Sequence, residues 1–69
     1  MRTVTAIISI DKLTADAVAP LTAALKLVPG VQSIDFSLER CVAVVEFDGE
    51  QSKVDDLLRA VQKTGYQVQ

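Results

Sequence analysis

Thr3 to Ile10 is a run of apolar and β-branched residues and reads as a strand. Asp11 to Asp16 interrupts it as a polar loop with Leu13 embedded. The apolar period then lengthens. Val18, Leu21, Leu25 and Val28 recur at helical spacing, with Ala24 beside them. Pro20 fits a first turn better than a helix interior, because it has no N–H to donate. Asp16 is therefore the expected N-cap, with Thr14 as the alternative. Pro29-Gly30 ends the helix.

The period then shortens to two. From Val31 to Leu38, Ile34, Phe36 and Leu38 lie on one face, and Ser33, Asp35 and Ser37 on the other. That is a half-buried strand. Leu38-Glu39-Arg40 makes a tight connection to a strand from Cys41 to Phe47, and Asp48-Gly49-Glu50 is a turn. Ser52-Lys53-Val54-Asp55 has the form of a capping box, with Asp in place of Glu. Val54, Leu57, Leu58 and Val61 give the next helix its apolar face. Gly65 closes it as a left-handed cap, and Tyr66 to Val68 is a short last strand.

The order βαββαβ predicts a ferredoxin-like α+β sandwich. Its antiparallel sheet has four strands in the order 4-1-3-2, with both helices on one face. Residues 1–69 leave no room for a linker or a repeat, so a single domain is expected. With one cysteine and no histidine, the chain forms no internal disulfide and is a poor candidate for structural zinc. Packing must supply the stability, helped by any self-association.

Charge narrows the partners. The net charge is −2, and Lys12, Lys26, Arg40, Lys53, Arg59 and Lys63 form no basic stripe, which argues against nucleic acid. Ala6 to Ile10 is too short for the apolar core of a signal peptide, and no small-residue cleavage site follows. No run approaches the ~20 apolar residues that span a bilayer. A cytoplasmic protein without membrane insertion is expected. Enzyme activity is not: no histidine, no nucleophile paired with a base and no glycine-rich phosphate loop is present. Asp55-Asp56 is an acidic pair, but adjacent helical residues point apart.

Several segments together are similar to the heavy-metal-associated domain, the fold of small copper chaperones and of transporter N-terminal modules. Leu25-Lys26-Leu27-Val28-Pro29-Gly30-Val31 resembles that family's helix end and its L-P-G-V. Ser37-Leu38-Glu39 and Val45-Glu46-Phe47-Asp48 resemble its hairpin. Leu57 to Tyr66 resembles its second helix and the G-Y that follows. The resemblance implies a soft-metal site, Met-x-Cys-x-x-Cys, at the loop and first helical turn. Soft monovalent copper takes two thiolates in near-linear geometry, and a helix N-terminus lowers the thiol pKa.

The departure lies at that site. Counted back from the helix, the two cysteine positions fall on Thr14 and Ala17. Counted forward from the strand, Ile10-Asp11-Lys12-Leu13 matches V-x-G-M, and the positions fall on Ala15 and Val18. Neither register supplies a thiolate. Asp16, as an anionic cap, would satisfy the helix end instead.

Tyr66 matches the tyrosine that bacterial members set beside the metal loop. Its plainer reading is a partly buried aromatic with a wet hydroxyl. Cys41 should share the helix-covered face with Ala43, Val45 and Phe47, at the end of the domain that holds the metal loop. Its plainer reading is a small hydrophobe at the core margin. Its sharper reading is a relocated ligand completed by a second thiolate from a dimer mate or partner.

A further surface lies on the open sheet face. With Leu13 in the methionine place, Ile8 and Ile10 point inward, and Thr5, Ile7 and Ser9 outward. Ile7, Val42 and Val44 should then cluster as an apolar patch on neighbouring strands. Isolated surface valines can also reflect β-propensity alone.

The expected role is a heavy-metal-associated fold with a degenerate metal site, acting as a protein-interaction or self-association module with no cofactor. The alternative is a copper-type carrier that binds Cu(I) or another soft metal non-canonically, through Cys41 across a dimer or through Asp11 and Asp16. A small-molecule regulatory domain would rest on fold analogy alone.

Overall fold

The computed structural model describes residues 2–68. Its elements are β1 (Thr3–Ser9), α1 (Ala15–Lys26), β2 (Val31–Ser37), β3 (Val42–Asp48) and α2 (Val54–Lys63). The strands form an antiparallel sheet in the order β1-β3-β2. Of the expected fourth strand, the described residues contribute one antiparallel bridge, Val68 with Ile10. The bridge lies beyond the C-terminal end of β1, so among the described residues the sheet has three strands where four were expected.

Alternation decides which face is covered. Ala6, Ile8, Ala43, Val45 and Phe47 point to one side and are buried. Ala17, Leu21 and Leu25 from α1, and Leu57, Ala60 and Val61 from α2, complete the same core. Both helices therefore cover one face, and the other carries Thr3, Thr5, Ile7, Val44 and Glu46. Ile8 and Ile10 point inward as expected.

Both helix starts differ from expectation. α1 begins at Ala15 with Thr14 as its N-cap, not Asp16. Pro20 is inside the helix. Its ring cannot donate to the Asp16 carbonyl four residues back, but both residues are exposed, so water can satisfy that carbonyl. α2 takes Lys53 rather than Ser52 as its N-cap. The Lys53 N–H donates to the Asp56 carboxylate at 2.9 Å, and the Asp56 N–H donates to the Lys53 carbonyl at 3.0 Å. Ser52 is buried, and its hydroxyl donates to the Pro29 carbonyl at 2.6 Å. It fastens the end of α1 to the start of α2.

Asp48 ties four segments together at one end of the sheet. Its carboxylate accepts the N–H of Glu50 at 2.9 Å, the side-chain amide of Gln51 at 3.2 Å and the N–H of Arg2 at 3.2 Å. Its own N–H donates to the Gly30 carbonyl at 2.9 Å. Gly30 has φ +84°, and a side chain there would press on the Cβ atoms of Asp48 and Gln51, each 3.1 Å away. The donors from Glu50, Gln51 and Arg2, in that order, hold the Asp48 carboxyl below the usual aspartate pKa.

Two outcomes follow for stability. Leu25 is fully buried, so Leu25→Ala should cost about 2–5 kcal/mol in urea unfolding, a large share of what so small a domain has. Asp48 ionises more readily folded than unfolded. Its contribution is present above the unfolded pKa of about 4 and is lost as pH falls through the lowered folded value. Asp48→Asn should be less stable than wild type at neutral pH, and the gap should narrow on acidification below pH ~4. Urea titrations of both proteins across that range measure it.

Candidate functional site

The loop after β1, the β2–β3 turn and the segment after α2 meet at one end of the sheet. Backbone bonds join them. The Ile10 N–H donates to the Cys41 carbonyl at 2.8 Å, and the Asp11 N–H donates to the Gln67 carbonyl at 2.8 Å. Lys12 turns the chain with φ +56°. Leu13 then drops into the core.

Thr14 is extended (φ −126°, ψ 169°) and exposed, and its carbonyl accepts the Ala17 N–H at 3.0 Å. No side chain caps this helix end. Asp16 lies exposed within the first turn, so the anionic cap expected from the sequence is not formed. Of the two candidate pairs, Thr14 is exposed and Ala17 fully buried, while Ala15 is exposed and Val18 half-buried.

Cys41 is half-buried and packs against the core. It is the last residue of the turn rather than the first of β3, and takes φ +55°. Its N–H donates to the Leu38 carbonyl at 3.3 Å, and its thiol reaches the same carbonyl at 3.6 Å. Its carbonyl bond to Ile10 places it at the same end as the start of α1. Tyr66 follows Gly65 (φ +93°) and packs half-buried against the core. Among the described residues, no three His, Cys, Asp or Glu side chains are grouped to hold a metal ion.

On the open sheet face, Ile7 sits directly opposite Val44, and Ser9 opposite Val42. Ile7 is 70% exposed, and Val42 and Val44 are half-buried. Asp35 and Ser37 flank the valines on the other side. The three apolar side chains are thus on adjacent strands of one uncovered face.

A groove between the end of α1 and α2 did not emerge from the sequence pattern. Ala24, Leu27, Val28, Arg59, Ala60 and Lys63 are among its lining. Leu27, just past the last helical residue, is 84% exposed. Its place outside the apolar stripe was the one available signal.

Residues 15–67 match the model of the heavy-metal-associated domain. The chain belongs to the heavy-metal-associated domain family. Oxidized MerP from Ralstonia metallidurans CH34 is similar in structure, with a TM-score of 0.87 and 28% identity over 97% of this chain and 94% of that one. Mercury-bound MerP, the periplasmic protein of the bacterial mercury detoxification system, gives 0.74 and 31% over 97% of each chain. The N-terminal domain of a potential copper-translocating P-type ATPase from Bacillus subtilis, solved Cu(I)-loaded, gives 0.86 and 26% over 97% of this chain and 85% of that one. A search of curated proteins finds no match.

The donor set of this heavy-metal-associated domain does not fit a soft ion at the helix start. Thr14, Ala15, Ala17 and Val18 carry one hydroxyl and no sulfur or imidazole. The backbone there remains suited to thiolates. Ala15 opens the helix, and the positive end of the helix dipole there favours negative charge. Leu13 is buried in the methionine place, the register that sets the two cysteine positions on Ala15, exposed, and Val18, half-buried. Combining Ala15→Cys with Val18→Cys should therefore give stoichiometric Cu(I) binding in competition with a chelator under reducing conditions. Ala15→Cys alone should not.

Proposed function

We propose that this heavy-metal-associated domain works through protein contact, with itself or with a protein partner, and not through a metal held at the start of α1. The observation that carries the reading is the residue set at that helix start, where every position of the family motif has lost its sulfur. The apolar patch of Ile7, Val42 and Val44 on the uncovered sheet face supplies the contact surface. Exposed apolar groups of this kind mark interaction sites. Related domains occur as free proteins and as the N-terminal part of a P-type ATPase, so a domain of the same fold is a reasonable partner class.

The proposal includes no enzymatic activity and keeps the cytoplasmic setting expected from the sequence. Among the described residues, no helix is long and apolar enough to cross a membrane.

One observation favours a second reading. The Cys41 carbonyl bonds to Ile10, which puts the only thiol at the end of the domain where the family motif stands. Two copies could then share a soft ion through paired Cys41 thiolates. The reduced protein and its Cys41→Ser variant, titrated with Cu(I) against a chelator, separate the readings. Under the interaction reading, neither protein competes for the metal. Tight binding by wild type that is lost in the variant would overturn it in favour of the shared site.

A further inference from the structure

The two edges of the sheet are built differently. The β2 edge is interrupted by a bulge between Val31 and Ser33, and carries Asp35. Both features discourage strand addition. β1 has neither. Thr3-Val4-Thr5-Ala6-Ile7-Ile8-Ser9 contains no charge, proline or glycine, and it pairs in continuous register with β3 from Thr3 to Ser9.

Backbone direction shows what that edge offers. The Arg2 carbonyl accepts from Gly49, and the Ile10 N–H donates to Cys41, so both point toward the β3 side. Alternation aims Val4, Ala6 and Ile8 the same way. Thr3, Thr5, Ile7 and Ser9 therefore present their N–H and C=O groups to the outer side. Asp11 shares that outward phase, and its N–H is taken by Gln67. The Val68 bridge then closes the edge at Ile10. From Thr3 to Ile7 no described strand lies alongside.

Resting on the self-association reading above, we infer that the β1 edge from Thr3 to Ile7 pairs antiparallel with the same edge of a second copy, joining two three-stranded sheets into one of six strands. The free stretch is centred on Thr5. A two-fold axis there sets Thr5 against Thr5, and Thr3 against Ile7, using the free backbone groups and none covered by the C-terminal segment. Thr5 is exposed and uncharged, and threonine against threonine is a favourable cross-strand pair. An edge without charge is compatible with itself, whereas a β2 edge pairing about Asp35 would set carboxylates together. The contact is short beside a typical stable interface of about 1,600 Å², so a weak dimer is expected, populated between micromolar and millimolar protein.

Hydrogen exchange followed residue by residue at rising protein concentration tests this. The Thr5 and Ile7 amides should exchange quickly when dilute and slow on the order of tenfold when concentrated. Val4, Ala6 and Ile8, bonded to β3, should be protected throughout. Thr5→Pro removes an outward N–H that the monomer does not use, and edge strands tolerate proline. The variant should keep its fold and stay monomeric in sedimentation at concentrations where wild type associates. A wild type that stays monomeric up to millimolar concentration overturns the inference. So does a dimer in which the Thr5 and Ile7 amides stay fast while Val44 side-chain resonances shift, a result that would leave face-to-face association standing. Failure of the wider interaction reading shows separately, as tight Cu(I) binding.

Discussion

The fold depends on one carboxylate held where four chain segments converge. Asp48 ends β3, and its side chain gathers the backbone before β1 and the turn into α2. Its N–H holds the turn between α1 and β2 at Gly30. A buried carboxylate is costly unless its oxygens are matched with donors. Here the donors come from Arg2, Glu50 and Gln51, segments that have to meet for the sheet to register and α2 to start. Beside it, Ser52 and Pro29 bind the two helices to each other. This end of the molecule is therefore specified largely by side chains, and a change of the Asp48 side chain is felt at the β1 edge and at the start of α2.

The opposite end carries the family's chemistry and is held in another way. Backbone groups of Ile10, Cys41, Asp11 and Gln67 join its three segments. The side chains at Thr14, Ala15, Ala17 and Val18 make no cap and supply no soft ligand. The N-cap and first turn of α1 present a threonine and small apolar residues there. On the open sheet face the chain exposes Ile7 opposite Val44.

Much of this was legible in the sequence because periodicity reports burial directly. The alternation from Ile34 to Phe36, and the helical spacing of Leu21 and Leu25, fixed the covered face of each element. Ile7 against Val44 followed from the same alternation. Three features were not legible, each because tertiary context outweighed a local rule. Pro20 argued for a later helix start, but its missing bond falls on the exposed side of α1, where water can replace it. Ser52 is a good cap by type, yet the Pro29 carbonyl claimed its hydroxyl. Cys41 looked like a strand residue, but the turn needed a left-handed position. The fourth strand was expected at full length from Tyr66 to Val68. Among the described residues a single bridge, Val68 with Ile10, represents it.

The backbone bonds that join the loop after β1 to the β2–β3 turn and the segment after α2 have a consequence for how such a protein changes over time. A bond between main-chain groups is indifferent to which side chains its residues carry. Thr14 and Ala15, exposed at this end, are thus uncoupled from the positions that keep the chain folded, whereas Ala17 belongs to the core. A change of side chain at Thr14 or Ala15 alters the chemistry of this end without removing a support. Substitutions there can accumulate in single steps, each leaving a foldable protein.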